Sequence, residues 1–213
     1  MRSKFNNLRK VLSIVCVWAI VYSLAVHAAE PTRPLLAYVG TFSSPLKDTL
    51  PTQVDLPPGN GLGIHVFEVD RTTGELTPKT VHRMGTSPSH VTINTAGNRL
   101  YSSNETDRVG SGEEKHGTVS SFAIDKAGNL KLLNTVDSGG AGPTYVSIHP
   151  SGKHLFVANY FGGSVAVLPI RDDGTLGDAT DVQRDKGKIG PTIATTRHRV
   201  ALLSAVTTAR THT

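Results

Sequence analysis

Apolar and β-branched residues alternate with polar ones along most of the chain, in runs of about four to eight positions bounded by turn-forming residues. This is the period of half-buried strands, and no stretch between 29 and 190 sustains the period of an amphipathic helix. Thr73-Gly74, Ala96-Gly97, Ala127-Gly128, Ser151-Gly152 and Asp173-Gly174 fall between runs, where a hairpin must reverse. The pattern also repeats. Residues 88–104, PSHVTINTAGNRLYSSN, align without a gap to 143–159, PTYVSIHPSGKHLFVAN, at an offset of 55. A second unit recurs as GIHVFEVDRTTGEL (63–76), GTVSSFAIDKAGNL (117–130) and GSVAVLPIRDDGTL (163–176). Val91, Ile93, Leu100 and Tyr101 match Val146, Ile148, Leu155 and Phe156, and these are the expected inward positions. A period of 46 to 55 residues carrying about four strands is the spacing of a propeller blade, so the predicted class is an all-β, incomplete β-propeller. The longer first interval comes from the polar, Gly-containing 106–116, TDRVGSGEEKH, which reads as a solvated loop between strands.

The first 28 residues break this pattern. Arg2, Lys4, Arg9 and Lys10 precede an apolar run from Val11 to Val26, and Val26-His27-Ala28 supplies small or compact residues, the order of a secretory signal cleaved after Ala28. The competing reading is a retained membrane anchor, but the run is shorter than the ~20 residues a spanning helix needs. The expected product is therefore exported, periplasmic or secreted, with no membrane association after cleavage. The segment carries four positive charges and no acidic residue, so its removal takes the formal charge from +5 to about +1. Lys and Arg interleave with Asp and Glu over 29–190 instead of forming a basic face, which argues against a nucleic-acid partner. The one cysteine, Cys16, lies in the signal, leaving neither a disulfide framework nor a thiol nucleophile in the mature chain.

AYVGTF (37–42), then GIHVFEVDRTTGEL, then PSHVTINTAGNRLYSSNE (88–105), then GPTYVSIHPSGKHLFVANYFGGSVAVLPI (142–170), resemble in order the 6-phosphogluconolactonase-type lactonases, a family of seven-bladed propellers. The resemblance covers roughly 36–192 and rests on the ordered set and the VANY-x-GGSV phrase. It implies about three of seven blades in 29–190, and hydrolysis of a sugar lactone to its acid without a redox cofactor. That chemistry needs a base to activate water and donors or cations to hold the developing oxyanion. The family's His, Arg and Glu site belongs to later blades, in phrases such as "PHAH" and "GPRH". The matching positions here are Ser89 and Thr144, neither of which can serve as that base or cation. No catalytic residue is therefore assigned.

From Pro191 the texture changes: PTIATTRHRVALLSAVTTARTHT holds seven threonines, three arginines, no glycine and no acidic residue. Residues 197–213 can be written in codons that, with the first two bases dropped, read PPGSFALSGHDRTHAH, which is similar to the family's continuation into its His-bearing blade. The expectation is a frameshift near residue 196, so that 191–213 is a non-family tail. An ordinary Thr-rich disordered tail is the alternative.

The channel-lining candidates are Ser89, His90, Glu105, Thr144, Tyr145, Asn159 and Tyr160. His90 could face a sugar phosphate or pack between blades, Glu105 is the carboxylate placed like a channel-top residue, and Asn159 and Tyr160 could instead satisfy turn backbone. His149 and His154 lack further ligand-type neighbours, so no metal site is assigned. The serines sit in no G-x-S-x-G elbow, and GNGLG (59–63) lacks the strand-to-helix context of a phosphate cradle. Two readings follow: a lactonase-family hydrolase with a sugar-lactone partner, inactive as this truncated chain, or a non-catalytic exported propeller fragment acting as a binding or interaction module.

Overall fold

The computed structural model describes residues 34–43, 61–109 and 116–186; the signal (1–28) and tail (191–213) inferred above lie outside them. The described residues form eleven strands and no helix. β1 (Leu36–Gly40), β2 (Gly63–Val69) and β3 (Leu76–Arg83) make one sheet. β4 (Pro88–Ile93), β5 (Arg99–Val109), β6 (His116–Ile124) and β7 (Leu130–Asp137) make a second. β8 (Pro143–Ile148), β9 (His154–Asn159), β10 (Ser164–Pro169) and β11 (Asp181–Arg184) make the third. Every sheet is an antiparallel meander in which chain neighbours pair. β4 and β8 occupy equivalent edges and contact each other, so the sheets converge on these inner strands. Among the described residues the first sheet has no such strand beside β1, which meets β4 instead.

The strands stack face to face, and this decides which residues are core. Tyr38, Ile64 and Met84 of the first sheet pack on Leu100, Phe122, Val91, Ile124 and Leu130 of the second. Tyr101 and Val119 of the second then pack on Val146, Leu155, Val157, Ala166, Leu168 and Leu176 of the third. Consecutive strand residues point to opposite faces, so Leu100 and Tyr101 are both buried because each meets a different neighbouring sheet. Two of the expected inward positions lie outside both cores: Ile93, which is 40% exposed, and Phe156, which is half-buried. Ile93 lies at the end of an edge strand, and Phe156 lies on the face of the third sheet turned away from the second.

The predicted 106–116 loop is shorter than expected. β5 continues to Val109 and β6 begins at His116, with these two residues paired, since a ladder built from backbone groups tolerates polar side chains on a solvated extension. The predicted hairpin glycines do hold positive φ, including Gly128 and Gly174 at 87° each.

A repeated latch joins the blades. Tyr38, Tyr101 and Phe156 are each the third residue of β1, β5 and β9. The Tyr38 hydroxyl donates to the Gly128 carbonyl of the next sheet at 2.9 Å, and the Tyr101 hydroxyl to the Gly174 carbonyl of the next at 3.3 Å. Burial pushes both phenols above their ordinary pKa, so they remain protonated donors. Arg99 reinforces the second latch by donating Nε and Nη2 to the Asp173 carbonyl, and the Asn134 amide exchanges two bonds with the Leu176 backbone. Tyr101→Phe is expected to lower unfolding free energy by ~1 kcal/mol, the net worth of one such bond, as read from the urea midpoint at unchanged slope.

Candidate functional site

The inner strands begin with the same irregularity. Pairing between β4 and β5 skips from Pro88 to His90, and pairing between β8 and β9 skips from Pro143 to Tyr145. Ser89 and Thr144 are therefore the unpaired bulge residues of successive blades. A bulge kinks its strand and re-aims a side chain, and it recurs where a sheet edge carries function. The local sequences explain it, since Pro88 and Pro143 lack the N–H an uninterrupted ladder would use.

Around the first bulge, Ser89 Oγ lies 3.3 Å from Ser103 Oγ, and the His90 backbone N–H donates to Ser103 Oγ at 3.2 Å. The His90 ring lies 4.3 Å from that of Tyr145, bringing residues of two inner strands together. His90 Nδ1 accepts the Val146 N–H at 3.4 Å, which leaves the ring proton on Nε2. Burial pushes the His90 pKa down, and burial likewise lowers that of His82, whose ring packs edge-on against Phe122 at 5.1 Å.

The remaining candidates separate. Glu105 is only 8% exposed, with its N–H on the Ser87 carbonyl at 3.0 Å. Asn159 is fully buried, its amide donating to the Ser138 carbonyl at 3.0 Å while its own Oδ1 meets no donor. Asn104, its counterpart one blade earlier, donates to Thr118 Oγ1 and Ser120 Oγ and accepts from Ser102 Oγ, so both asparagines brace the ends of strands. Tyr160 is half-buried, its N–H on the Gly142 carbonyl at 2.8 Å and its ring against Phe161. The structure thus assembles His90 with Tyr145 at the inner edge, beside the bulge residues Ser89 and Thr144, and sets Asn159 behind it.

The sequence reading missed a histidine–carboxylate contact. His116 Nδ1 lies 2.8 and 3.0 Å from the two carboxylate oxygens of Asp137, in a cleft of about 500 Å³ that Asp178 and Arg184 also line. These residues are 21 apart and meet only because β6 and β7 form a hairpin. A second cavity of about 430 Å³ opens at the hairpin end between the second and third sheets, beside Arg99, Tyr101 and Asp172. Among the described residues no three His, Cys, Asp or Glu side chains converge as metal ligands.

Protonation gives a measurable signature. With His82 and His90 held below their ordinary pKa, the unfolded chain takes up protons first as pH falls. Their stability contribution is complete above ~6.5, the unfolded value, and is lost as pH falls through the lower folded values. The urea midpoint is expected to drop below that pH, and His82→Gln/His90→Gln to flatten the drop.

Stacked antiparallel meanders whose inner strands converge, each opening on a bulged hydroxyl residue, define an incomplete β-propeller. The profile described as "Lactonase, 7-bladed beta-propeller" matches residues 36–201, and the chain belongs to this family, of the 6-phosphogluconolactonase type. A 6-phosphogluconolactonase of Bacillus subtilis is 30% identical over 158 residues, covering 73% of this chain and 39% of the relative. One from Formosa agariphila is 33% identical over 117 residues, covering 54% of this chain and 32% of the relative. The solved periplasmic gluconolactonase of Pseudomonas aeruginosa matches with a TM-score of 0.52 at 30% identity, covering 70% of this chain and 39% of that one. The chain thus spans about a third to two-fifths of the length of these relatives.

Proposed function

We propose that this chain is the front portion of a lactonase-family hydrolase that opens a sugar lactone to its acid, and that it supplies channel wall without the catalytic machinery. The carrying observation is the chemistry of the inner edge. Ser89, Thr144 and the Tyr145 phenol offer hydroxyls, and His90 offers an Nε2–H, groups suited to a polyhydroxylated ligand. The described inner edge pairs no activating base with a cation for the oxyanion, which hydrolysis would need. In this reading the base and cation come from blades encoded after the proposed frame change near residue 196.

Export is part of the proposal. It rests on the charged, apolar, small-residue order of 1–28 and agrees with the periplasmic setting of the Pseudomonas relative. Such a location favours an unphosphorylated or otherwise extracellular lactone over 6-phosphogluconolactone itself. Sequencing the locus from codon 185 past the stop is the test: a shifted frame that continues through further blades, with a His-bearing inner strand, is expected. An uninterrupted absence of such a frame would leave the non-catalytic binding module as the better reading.

A further inference from the structure

The contact between His116 and Asp137 is held from more than one side. Asp137 pairs with Thr118 in the β6–β7 ladder, and the ring of His116, two residues before Thr118, reaches the same carboxylate. Asp137 Oδ1 also accepts the Gly139 N–H at 2.6 Å. Gly139 holds φ at 74°, and a Cβ there would stand 3.0 Å from side-chain carbons of both Ala166 and Val182, so this turn lies tight against the third sheet. A carboxylate fixed by backbone in turn fixes the ring: Nδ1 carries the proton that the carboxylate accepts, and Nε2 is left as an acceptor.

The facing wall belongs to the third sheet. Val182 of β11 packs into the core that the second and third sheets share, and Arg184, two residues on, comes from the same face of the strand. Asp178 and Ala179, just before β11, complete the cleft of about 500 Å³. Both walls are therefore supplied by a junction of two described sheets. The cleft draws on β6, β7 and β11, whereas His90 and Tyr145 lie on the inner strands β4 and β8.

The lining selects the ligand. Counting the imidazole as neutral, Asp137 and Asp178 set two negative charges against the one positive charge of Arg184, so a carboxylate or phosphate meets net repulsion there. Asp178 and His116 Nε2 accept hydrogen bonds, the five-donor guanidinium of Arg184 gives them, and Ala179 and Val182 form an apolar floor. Hydroxyl groups do both, and the carbons that bear them suit such a floor. We propose that this cleft is a second binding site, for a neutral polyhydroxylated ligand such as a saccharide unit, whose hydroxyls donate to Asp178 and His116 Nε2 and accept from Arg184. Its volume lies within the ~300–1,000 Å³ of small-molecule sites. Asp137 is a positioning residue, keeping the proton on Nδ1 so that Nε2 serves the ligand. The site is distinct from the inner edge, and the inference does not depend on lactonase activity.

Titration of the purified chain with glucose, followed by nuclear magnetic resonance of the histidine rings, tests it. The expected result is saturable, millimolar binding that shifts His116 and leaves His149 unmoved, with Asp178→Asn and Arg184→Gln each weakening it at least ~10-fold. Both residues are exposed, so circular dichroism of these variants is expected to remain that of folded strands. Asp137→Asn is expected to weaken binding several-fold and to move the His116 ring nitrogens toward the other tautomer, a change that Asp178→Asn does not produce. An unchanged tautomer would contradict the positioning role. Glucose that shifts His90 and not His116 would place the sugar at the inner edge alone, overturning this site while leaving the lactonase reading intact. No shift of His116, or a larger one with acetate or methylammonium at the same concentration, would also overturn it.

Discussion

Phe122→Ala is expected to lower the unfolding free energy by ~3–5 kcal/mol, the range for truncating a fully buried aromatic. Phe122 has no exposed surface and joins Ile64 of the first sheet to Leu100 of the second, with the His82 ring against its edge. Its removal leaves a cavity at a junction between sheets, where both walls are β-ladders that cannot collapse without breaking register. The loss should appear as a lower urea midpoint. A slope reduced along with it would mean that the first sheet separates before the other two. Leu132→Ala, on a side chain 48% exposed in the same sheet, provides the control and should change stability little.

Gly40→Ala is expected to cost ~1–3 kcal/mol, the usual penalty for overpacking, and to disturb the inner edge as well. A Cβ at Gly40 would stand 1.9 Å from the Pro88 carbonyl oxygen and 3.1 Å from its carbon. Both are backbone atoms, so no rotamer change relieves the contact, and β4 must move. Pro88 immediately precedes the Ser89 bulge, so the displacement should separate the His90 and Tyr145 rings. Nuclear magnetic resonance shifts of the His90 ring, compared with those of His149 on the distant hairpin, would register it. Equal perturbation of both would show general unfolding instead.

The architecture was legible in the sequence because a propeller blade is written twice over, as strand periodicity and as a repeat. The turn glycines, the 55-residue offset and the ordered family phrases all point the same way. What sequence could not show is how one blade lies on another. Tyr101 and Phe156 align as equivalent inward residues, yet one is buried and hydrogen-bonded and the other half-buried, because among the described residues only one has a neighbouring sheet on its side. The Ser89 and Thr144 positions were legible from the family pattern, but their shared bulge was not, because it arises from pairing register. The His116–Asp137 contact was equally hidden. One partner lay in a segment read as loop, and the other at the end of a strand 21 residues on.

The central claim is that the described blades form wall and not catalytic machinery. Its most direct test is to follow hydrolysis of glucono-lactone and 6-phosphogluconolactone by the purified chain against the spontaneous rate in the same buffer. The account predicts no rate above the spontaneous one at any protein concentration. Turnover that rises in proportion to protein and is abolished by His90→Ala would contradict it and place chemistry on the inner edge itself.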